Sequence, residues 1–336
     1  MSPIGHRLAP PEQKLQSRVP AMVTAPADPA FLAAVTTGLQ RPVKAIPPRF
    51  FYDLEGSHLF DEITRLPEYY PTRTETALLR RHAEDLAAAV GTGRPVIEFG
   101  AGSATKTPLL LDALATQTYV PIDISGDYLE QAVAQLGQAR PGLRIVPVVG
   151  DFTTPLALPP LSGPVTGFFP GSTIGNFEPA EAIGLLRSFR QLLGEGGRLV
   201  IGIDTRKDRR VLEAAYDDAA GVTAAFNRNL LTRINRELAG TIPVEHFAHR
   251  AIWNEAEGRV EMHLEALRDL RFTVASEAFA MAGGETIHTE SCYKYTPAEA
   301  DRLARAGGWE PLVCWTDPED LFGLHVWGAV PDARLP

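Results

Sequence analysis

The sequence predicts an α/β protein built on a doubly wound parallel sheet. Five short apolar runs follow one another between residues 95 and 203. Stretches in which apolar residues recur with helical spacing lie between them. Short apolar strands that alternate with amphipathic helices are typical of a parallel sheet covered on both faces. The length of 336 residues allows one large domain or two.

The predicted elements follow in chain order. A weak helical pattern begins at Asp28 and is interrupted at Pro42, and a helix over 74–90 precedes the sheet. The strands are predicted over 95–100, 119–123, 144–149, 165–169 and 198–203, and the helices between them near 105–116, 126–138 and 178–193. Beyond them, 207–240 has helical spacing throughout, and 252–260, 262–270 and 272–279 resemble extended segments. Thr296 before Pro297 predicts a helix over 297–306, and the last strands are predicted over 310–315 and 323–329.

This change of pattern predicts two domains. Residues 73–206 and 295–336 form the doubly wound domain, and residues 29–72 and 207–294 form a second, discontinuous α+β domain that binds the substrate. Residues 1–28 are polar and lack a clear period, so we expect a flexible N-terminal arm.

Composition excludes several classes of protein. Lys and Arg total 32 against 41 Asp and Glu, so the formal charge of −9 repels a nucleic-acid backbone. No apolar run reaches the roughly 18 residues that span a membrane, and the N-terminus lacks the apolar core of a signal peptide. The two cysteines, Cys292 and Cys314, are too few for a disulfide framework. His246 and His249 lack a third ligand. We therefore expect a cytoplasmic protein, a monomer, without nucleic acid, membrane or metal.

A glycine pair follows the first predicted strand, in the run Glu98-Phe-Gly100-Ala-Gly102. Glycines permit a tight turn against which a ligand can approach the backbone. The spacing is not that of a Walker loop, and the third glycine of the dinucleotide fingerprint is missing. Alone, the pair also fits a structural turn or a hydride-transfer enzyme.

Further polar residues follow the next strands. Asp123 ends the second strand, where a carboxylate accepts the two hydroxyls of a ribose. Together with Asp151 and Phe152 after the third strand, this order resembles the Rossmann-like class I methyltransferases that bind S-adenosylmethionine. The resemblance implies that Asp151 meets the adenine amino group and that Phe152 lies against the ring. The complete set of predicted cofactor-binding residues is Glu98, Gly100, Gly102, Lys106, Asp123, Asp151 and Phe152.

Longer motifs point to one family. The segments 51–73, 169–177, 215–229 and 289–295, with Glu261-Met262, are similar to the histidine Nα-methyltransferases of ergothioneine biosynthesis. The resemblance spans roughly 30–336. It implies three successive methyl transfers from S-adenosylmethionine to the α-amino nitrogen of L-histidine, which give N,N,N-trimethylhistidine (hercynine) and release S-adenosylhomocysteine.

The resemblance also assigns the catalytic residues Tyr52, Asn176 and Tyr216. The substrate amine must lose a proton before its lone pair attacks the methyl group in line. Asn176 and Tyr216 are implied to hold the α-amino and carboxylate groups, although an Asn in a glycine-rich loop also fits a turn. Tyr52 and Tyr69 line the substrate pocket, where aromatic faces suit a quaternary cation, although aromatics in this segment also fit a core.

The glycine-rich loop that contains Asn176 also contains Gly171 and Thr173, and the resemblance implies that these two residues shape it around the substrate. Glu290 is the predicted specificity residue, because a carboxylate accepts an imidazole N–H; its alternative is a surface position. Met262 is expected to pack on the imidazole, or simply in the core. Cys292 stands where the family usually has Ser, and a thiol is a weaker donor.

Because Cys292 departs from the family pattern, the sequence does not decide the identity of the substrate. The family also resembles fungal N-methyltransferases that act on a prenylated tryptophan, so another aromatic amino acid or a small amine is the alternative substrate. A third possibility is a binding module without activity, against which the apparently complete set of site residues argues.

Overall fold

The computed structural model describes residues 28–331, and within them ten α-helices and fourteen strands form. The helices are α1 (Pro29–Gln40), α2 (Leu54–Ile63), α3 (Tyr70–Arg81), α4 (Ala83–Val90), α5 (Thr107–Ala113), α6 (Gly126–Ala139), α7 (Pro179–Leu193), α8 (Arg209–Tyr216), α9 (Val222–Glu237) and α10 (Pro297–Ala306). The strands are β1 (Lys44–Ala45), β2 (Val96–Phe99), β3 (Thr118–Asp123), β4 (Arg144–Ile145), β5 (Val148–Val149), β6 (Thr166–Phe169), β7 (Arg198–Asp204), β8 (Phe247–Asn254), β9 (Arg259–Ala266), β10 (Leu270–Val274), β11 (Glu277–Met281), β12 (Thr286–Tyr293), β13 (Trp309–Thr316) and β14 (Phe322–Ala329).

The main sheet has eight strands in the order β13-β14-β7-β6-β2-β3-β4, with β5 also paired to β3. Strands β2 to β7 pair in parallel, and β14 runs antiparallel to both neighbours. Helices pack on the sheet, so the predicted doubly wound α/β fold is confirmed. The strand predicted over 144–149 is divided into β4 and β5. Pro147 lies between the two pieces, where it has no N–H to donate to a neighbouring strand.

A second sheet has the order β1-β12-β9-β8, and β10 and β11 form a separate hairpin. Here three predictions were wrong, and one of them is the extended segment over 262–270, which contains the end of β9 at Ala266 and the start of β10 at Leu270. Residues 252–260 are not one extended segment, because β8 ends at Asn254 and a turn leads into β9. The Asn254 carbonyl accepts the Gly258 N–H at 2.8 Å, and Gly258 has a φ of +67°, which favours glycine. Residues 272–279 likewise contain the β10–β11 turn.

Two long helices predicted from periodicity are each broken. The helix predicted over 74–90 consists of α3 and α4, which meet at His82. The stretch 207–240 contains α8 and α9, and Asp218 lies between them. Its carboxylate accepts the backbone N–H of Val222 at 3.0 Å and of Thr223 at 2.8 Å, which caps the start of α9. Helix α10 has the predicted bounds and begins with the predicted capping box.

Apolar side chains form separate clusters. One cluster joins α1 and α9 to the second sheet and draws its residues from 31–70 and 212–292, whereas the others lie around the main sheet. The division into two domains stays a prediction, with which this separation agrees. Residues 1–27 of the predicted arm and the last residues, 332–336, lie outside the described residues; Asp28 caps α1. Within 28–331 the helices are too short or too polar to span a membrane.

Candidate active site

The glycine turn at the end of β2 is held by the carboxylate that ends β3. Gly100 and Gly102 have φ angles of +76° and +50°, a region that favours glycine. Asp123 accepts the N–H of Gly102 at 2.9 Å through one oxygen and the N–H of Ser125 at 2.9 Å through the other. Burial raises the pKa of Asp123, although both N–H groups oppose the shift. A Cβ at Gly102 would meet no atom within 4 Å, so the turn leaves open space against the backbone.

Phe152 and Asp151 lie at the same edge of the sheet. A Cβ on Gly100 would lie 3.5 Å from the Phe152 ring, so this ring borders the turn; its contact with adenine stays a prediction. Asp151 accepts the backbone N–H of Thr153 at 2.9 Å, and its other oxygen lies 3.3 Å from the Arg49 guanidinium. The structure therefore brings Gly100, Gly102, Asp123, Asp151 and Phe152 to one edge.

Glu98 and Lys106, also predicted to bind the cofactor, are bonded within the protein. Glu98 accepts the hydroxyls of Thr107 at 2.7 Å and Tyr119 at 2.5 Å, and burial raises its pKa to about 7. Lys106 pairs with the buried Glu75, which sequence reasoning missed. Glu75 in turn accepts the Gly171 N–H at 2.9 Å. Lys106 and Glu75 thus connect the glycine turn to the loop after β6, and cofactor contacts of Glu98 and Lys106 stay predictions.

The loop after β6 carries Gly171, Thr173 and Asn176. Gly171 has a φ of +77°, and the Thr173 hydroxyl donates to the Pro170 carbonyl at 2.8 Å. A Cβ on Gly175 would lie 2.6 Å from the Tyr293 carbonyl, so only glycine lets this loop approach β12 so closely. Within residues 28–331 the Asn176 side chain makes no hydrogen bond. Its amide is therefore open to a ligand.

Strand β12 carries Glu290 into the site through a bulge. Its pairing with β9 shifts between His288 and Glu290, and Glu290 then lies opposite Met262. Beyond the bulge, Glu290, Cys292 and Lys294 are two residues apart and so share one face. Met262 is buried in the apolar cluster, as the sequence also allowed. The structure thus brings Met262, Glu290 and Cys292 together.

Three tyrosines surround this face. The rings of Tyr69 and Tyr216 lie 6.4 Å apart, and the Tyr52 ring lies 5.8 Å from those of Phe60 and Phe226. Burial raises the pKa of Tyr52 well above its ordinary value, and the carboxylates of Glu290 and Asp123 raise it further. Both the predicted substrate residue and the predicted ribose ligand therefore act electrostatically on the Tyr52 hydroxyl. All three hydroxyls stay protonated.

The Glu290 carboxylate is buried without a partner. The residue is 7% exposed, and its carboxylate makes no hydrogen bond within residues 28–331. Burial raises its pKa to about 7, while Lys294 opposes the shift. A buried carboxylate without a donor is costly. The group is therefore suited to accept an N–H from a ligand.

Sequence reasoning missed the buried charges behind this pocket. Lys294 lies 2.7 Å from Asp204, which ends β7, and Asp204 also binds Lys207 at 2.5 Å and the Tyr70 hydroxyl at 2.8 Å. Although burial opposes it, the two lysines hold the pKa of Asp204 below its ordinary value. One sequence feature could have indicated Lys294: it lies two residues after Cys292, which itself lies two residues after Glu290, so the three residues share one face of an extended segment. Among the described residues, no three His, Cys, Asp or Glu side chains are grouped as a metal site.

A model of the histidine-specific, S-adenosylmethionine-dependent methyltransferases matches residues 31–329. The chain belongs to this family. A histidine N-alpha-methyltransferase from Mycolicibacterium smegmatis is 41% identical over 298 residues, 87% of this chain and 92% of the relative. The Mycobacterium tuberculosis protein of the same name is 40% identical with the same coverage. A 4-dimethylallyltryptophan N-methyltransferase from Epichloe festucae var. lolii is 25% identical over 310 residues, 84% of this chain and 90% of the relative.

S-adenosylmethionine is therefore the cofactor of this methyltransferase. The residues at the edge of the main sheet fit it. The open space at Gly102 admits a ligand against the backbone, Asp123 offers a carboxylate, and Phe152 offers a ring face beside Gly100.

Proposed function

We propose that this chain methylates the α-amino nitrogen of L-histidine three times in succession, giving N,N,N-trimethylhistidine in the first step of ergothioneine biosynthesis. The observation that carries the proposal is the buried, unpaired carboxylate of Glu290, opposite Met262 and among three tyrosines. The two relatives of about 40% identity, both named histidine N-alpha-methyltransferase, support the same substrate.

The pocket offers a partner for each polar group of histidine. Glu290 accepts an imidazole N–H, and the apolar side chain of Met262 lies beside it. The open amide of Asn176 bonds the α-amino group, and the Tyr216 hydroxyl bonds the carboxylate. Gly171 and Thr173 shape the loop that carries Asn176.

S-adenosylmethionine, when bound, supplies a methyl group that is open to attack by an amine. The residues of this chain align that amine with it, because Glu290 and Asn176 hold the two ends of the amino acid. Because its pKa is raised, Tyr52 acts as a neutral hydroxyl that orients the amine. The faces of Tyr52, Tyr69 and Tyr216 suit the cation that forms as methylation proceeds.

A second candidate substrate is an aromatic amino acid of the tryptophan type. The observation that favours it is Cys292, whose thiol is a poorer donor to imidazole than the usual serine hydroxyl. Indole also presents one N–H that Glu290 could accept.

Incubation with S-adenosylmethionine and a panel of amino acids separates the candidates. The panel contains histidine, tryptophan, dimethylallyltryptophan and simple amines, and mass spectrometry identifies the products. We expect histidine to gain three methyl groups. Turnover of tryptophan or its derivative without any product from histidine would refute the proposal, and so would the absence of turnover with every member of the panel.

A further inference from the structure

The Lys294 ammonium is completely occupied by three acceptors. It donates to the Tyr216 hydroxyl oxygen at 2.8 Å and to the Cys292 sulfur at 3.2 Å, and it forms an ion pair with an Asp204 carboxylate oxygen at 2.7 Å. The residue is 1% exposed. An ammonium has three N–H donors and no acceptor. Although burial opposes it, Asp204 raises the pKa of Lys294 well above its ordinary value, so all three donors persist.

This arrangement determines the direction of the hydrogen bonds of Tyr216. Its oxygen accepts from Lys294, which has no acceptor of its own, so the Tyr216 proton is available only to another group. Within residues 28–331 the Tyr216 hydroxyl makes no other hydrogen bond, and the neighbouring Cys292 sulfur is a weak acceptor that already accepts from Lys294 at 3.2 Å. His249 fixes the backbone of the same residue, since its Nε2 lies 2.7 Å from the Tyr216 carbonyl. A ligand carboxylate is a much stronger acceptor than the sulfur.

We propose that Lys294 is a positioning residue that makes Tyr216 a hydrogen-bond donor to the substrate carboxylate. Lys294 thereby selects amino acids over amines that lack this carboxylate. The inference rests on the proposed function, because it takes the Tyr216 side of the pocket as the place of the carboxylate.

The chain offers a matched control for the charge of Lys294. Lys207 binds the same carboxylate, with its ammonium 2.5 Å from Asp204, and it also donates to the Tyr70 hydroxyl at 2.7 Å and the Thr205 carbonyl at 2.7 Å. It makes no hydrogen bond to Tyr216 or Cys292. Lys207→Met therefore removes a positive charge from Asp204 and leaves the donor arrangement of Tyr216 in place.

Calorimetric titration in the presence of S-adenosylhomocysteine tests the proposal, with L-histidine and histamine, which lacks the carboxylate, as probes. We expect Lys294→Met and Tyr216→Phe each to weaken histidine binding about 10- to 100-fold and to leave histamine binding within about 3-fold. The double variant should bind histidine no more weakly than either single variant, because both substitutions remove one interaction. Lys207→Met should keep the preference for histidine over histamine.

Equal losses for histidine and histamine in Lys294→Met, the same loss in Lys207→Met, or additive effects with Tyr216→Phe would overturn the proposal. If thermal melting shows that Lys294→Met is unfolded, Lys294→Gln replaces it; its amide can also accept from Tyr216, so the direction of that hydrogen bond is no longer fixed and histidine binding should still weaken more than histamine binding. The turnover of the wild-type protein shows whether the proposed function itself holds, independently of the binding measurements on the variants. If the wild-type protein methylates tryptophan rather than histidine, the same comparison is made with tryptophan and tryptamine.

Discussion

The two halves of the active site differ in how their polar groups are satisfied. At the glycine turn, the Asp123 carboxylate already accepts backbone N–H groups from Gly102 and Ser125, so the turn is held in shape by the protein. In the substrate pocket, the Glu290 carboxylate and the Asn176 amide have no hydrogen-bond partner within residues 28–331. The cofactor half is therefore a preorganised scaffold, whereas the substrate half gains its missing hydrogen bonds when the ligand binds.

The strongest test of this difference is Glu290→Ala. We expect histidine affinity to fall about 100-fold, because a charge-assisted hydrogen bond to a buried group is lost. The affinity for S-adenosylhomocysteine should stay within about 2-fold, since Asp123 and the turn are untouched. Titration of both ligands measures these effects. Glu265→Ala, on β9 and paired with Arg250, is the control. Unchanged histidine affinity in Glu290→Ala would refute the assigned role.

The cost of the unpaired carboxylate predicts a pH-dependent stability. The folded-state pKa of Glu290 is raised from 4.5 to about 7, so the folded protein retains a proton that the unfolded chain loses. Below pH 4.5 Glu290 is protonated in both the folded and the unfolded state, so its burial does not lower the free energy of unfolding. Between 4.5 and about 7 the wild-type protein should lose stability relative to Glu290→Gln, by about 3 kcal/mol at pH 8. Urea unfolding at pH 4.5 and pH 8 measures the difference, and a gap independent of pH would contradict this account.

The scaffold half is tested by Asp123→Asn. The amide keeps the shape of the side chain but loses the charge and one acceptor that hold Gly102 and Ser125. We expect about 10-fold weaker binding of S-adenosylhomocysteine, with histamine binding to the substrate pocket unchanged. Equal weakening of both ligands would show that the two halves are not independent.

The smallest expected effect belongs to Cys292→Ser. A hydroxyl is a stronger acceptor for the Lys294 ammonium and a stronger donor to imidazole than a thiol. We expect the KM for histidine to decrease about 3-fold with kcat nearly unchanged, as steady-state kinetics can measure. A decrease in KM for tryptophan instead would favour the second candidate substrate.

The sequence was sufficient to predict the main sheet because its strands are apolar runs buried on both faces. It did not predict β12, whose Thr286, His288 and Glu290 are polar although the strand lies inside the protein. These polar side chains belong to the predicted site, so they do not produce the alternation of polar and apolar residues that is typical of a strand. The bulge between His288 and Glu290 also shifts the alternation partway along β12. The turns after Asn254 and Val274 were also missed, because short polar interruptions do not break a propensity pattern.

Within the site, the positions of Asp123, Asn176 and Glu290 were predicted from strand ends and from family resemblance. Lys294 and Glu75 were missed, since charged residues are ordinarily assigned to the surface. Their partners, Asp204 and Lys106, lie far away in sequence, and local spacing contains no information about such pairs.

The pairing of β1 with β12 has a consequence for how the chain folds. Lys44 lies beside Ile287, about 240 residues later, and the apolar residues of α1 are buried in the cluster that reaches Cys292. At about 5–20 residues per second, a ribosome needs about 12–50 s to synthesise the intervening chain. During this time Phe31 and Val35 lack the part of their apolar cluster that comes from residues 212–292. The substrate pocket can therefore assemble only after β12 has been synthesised.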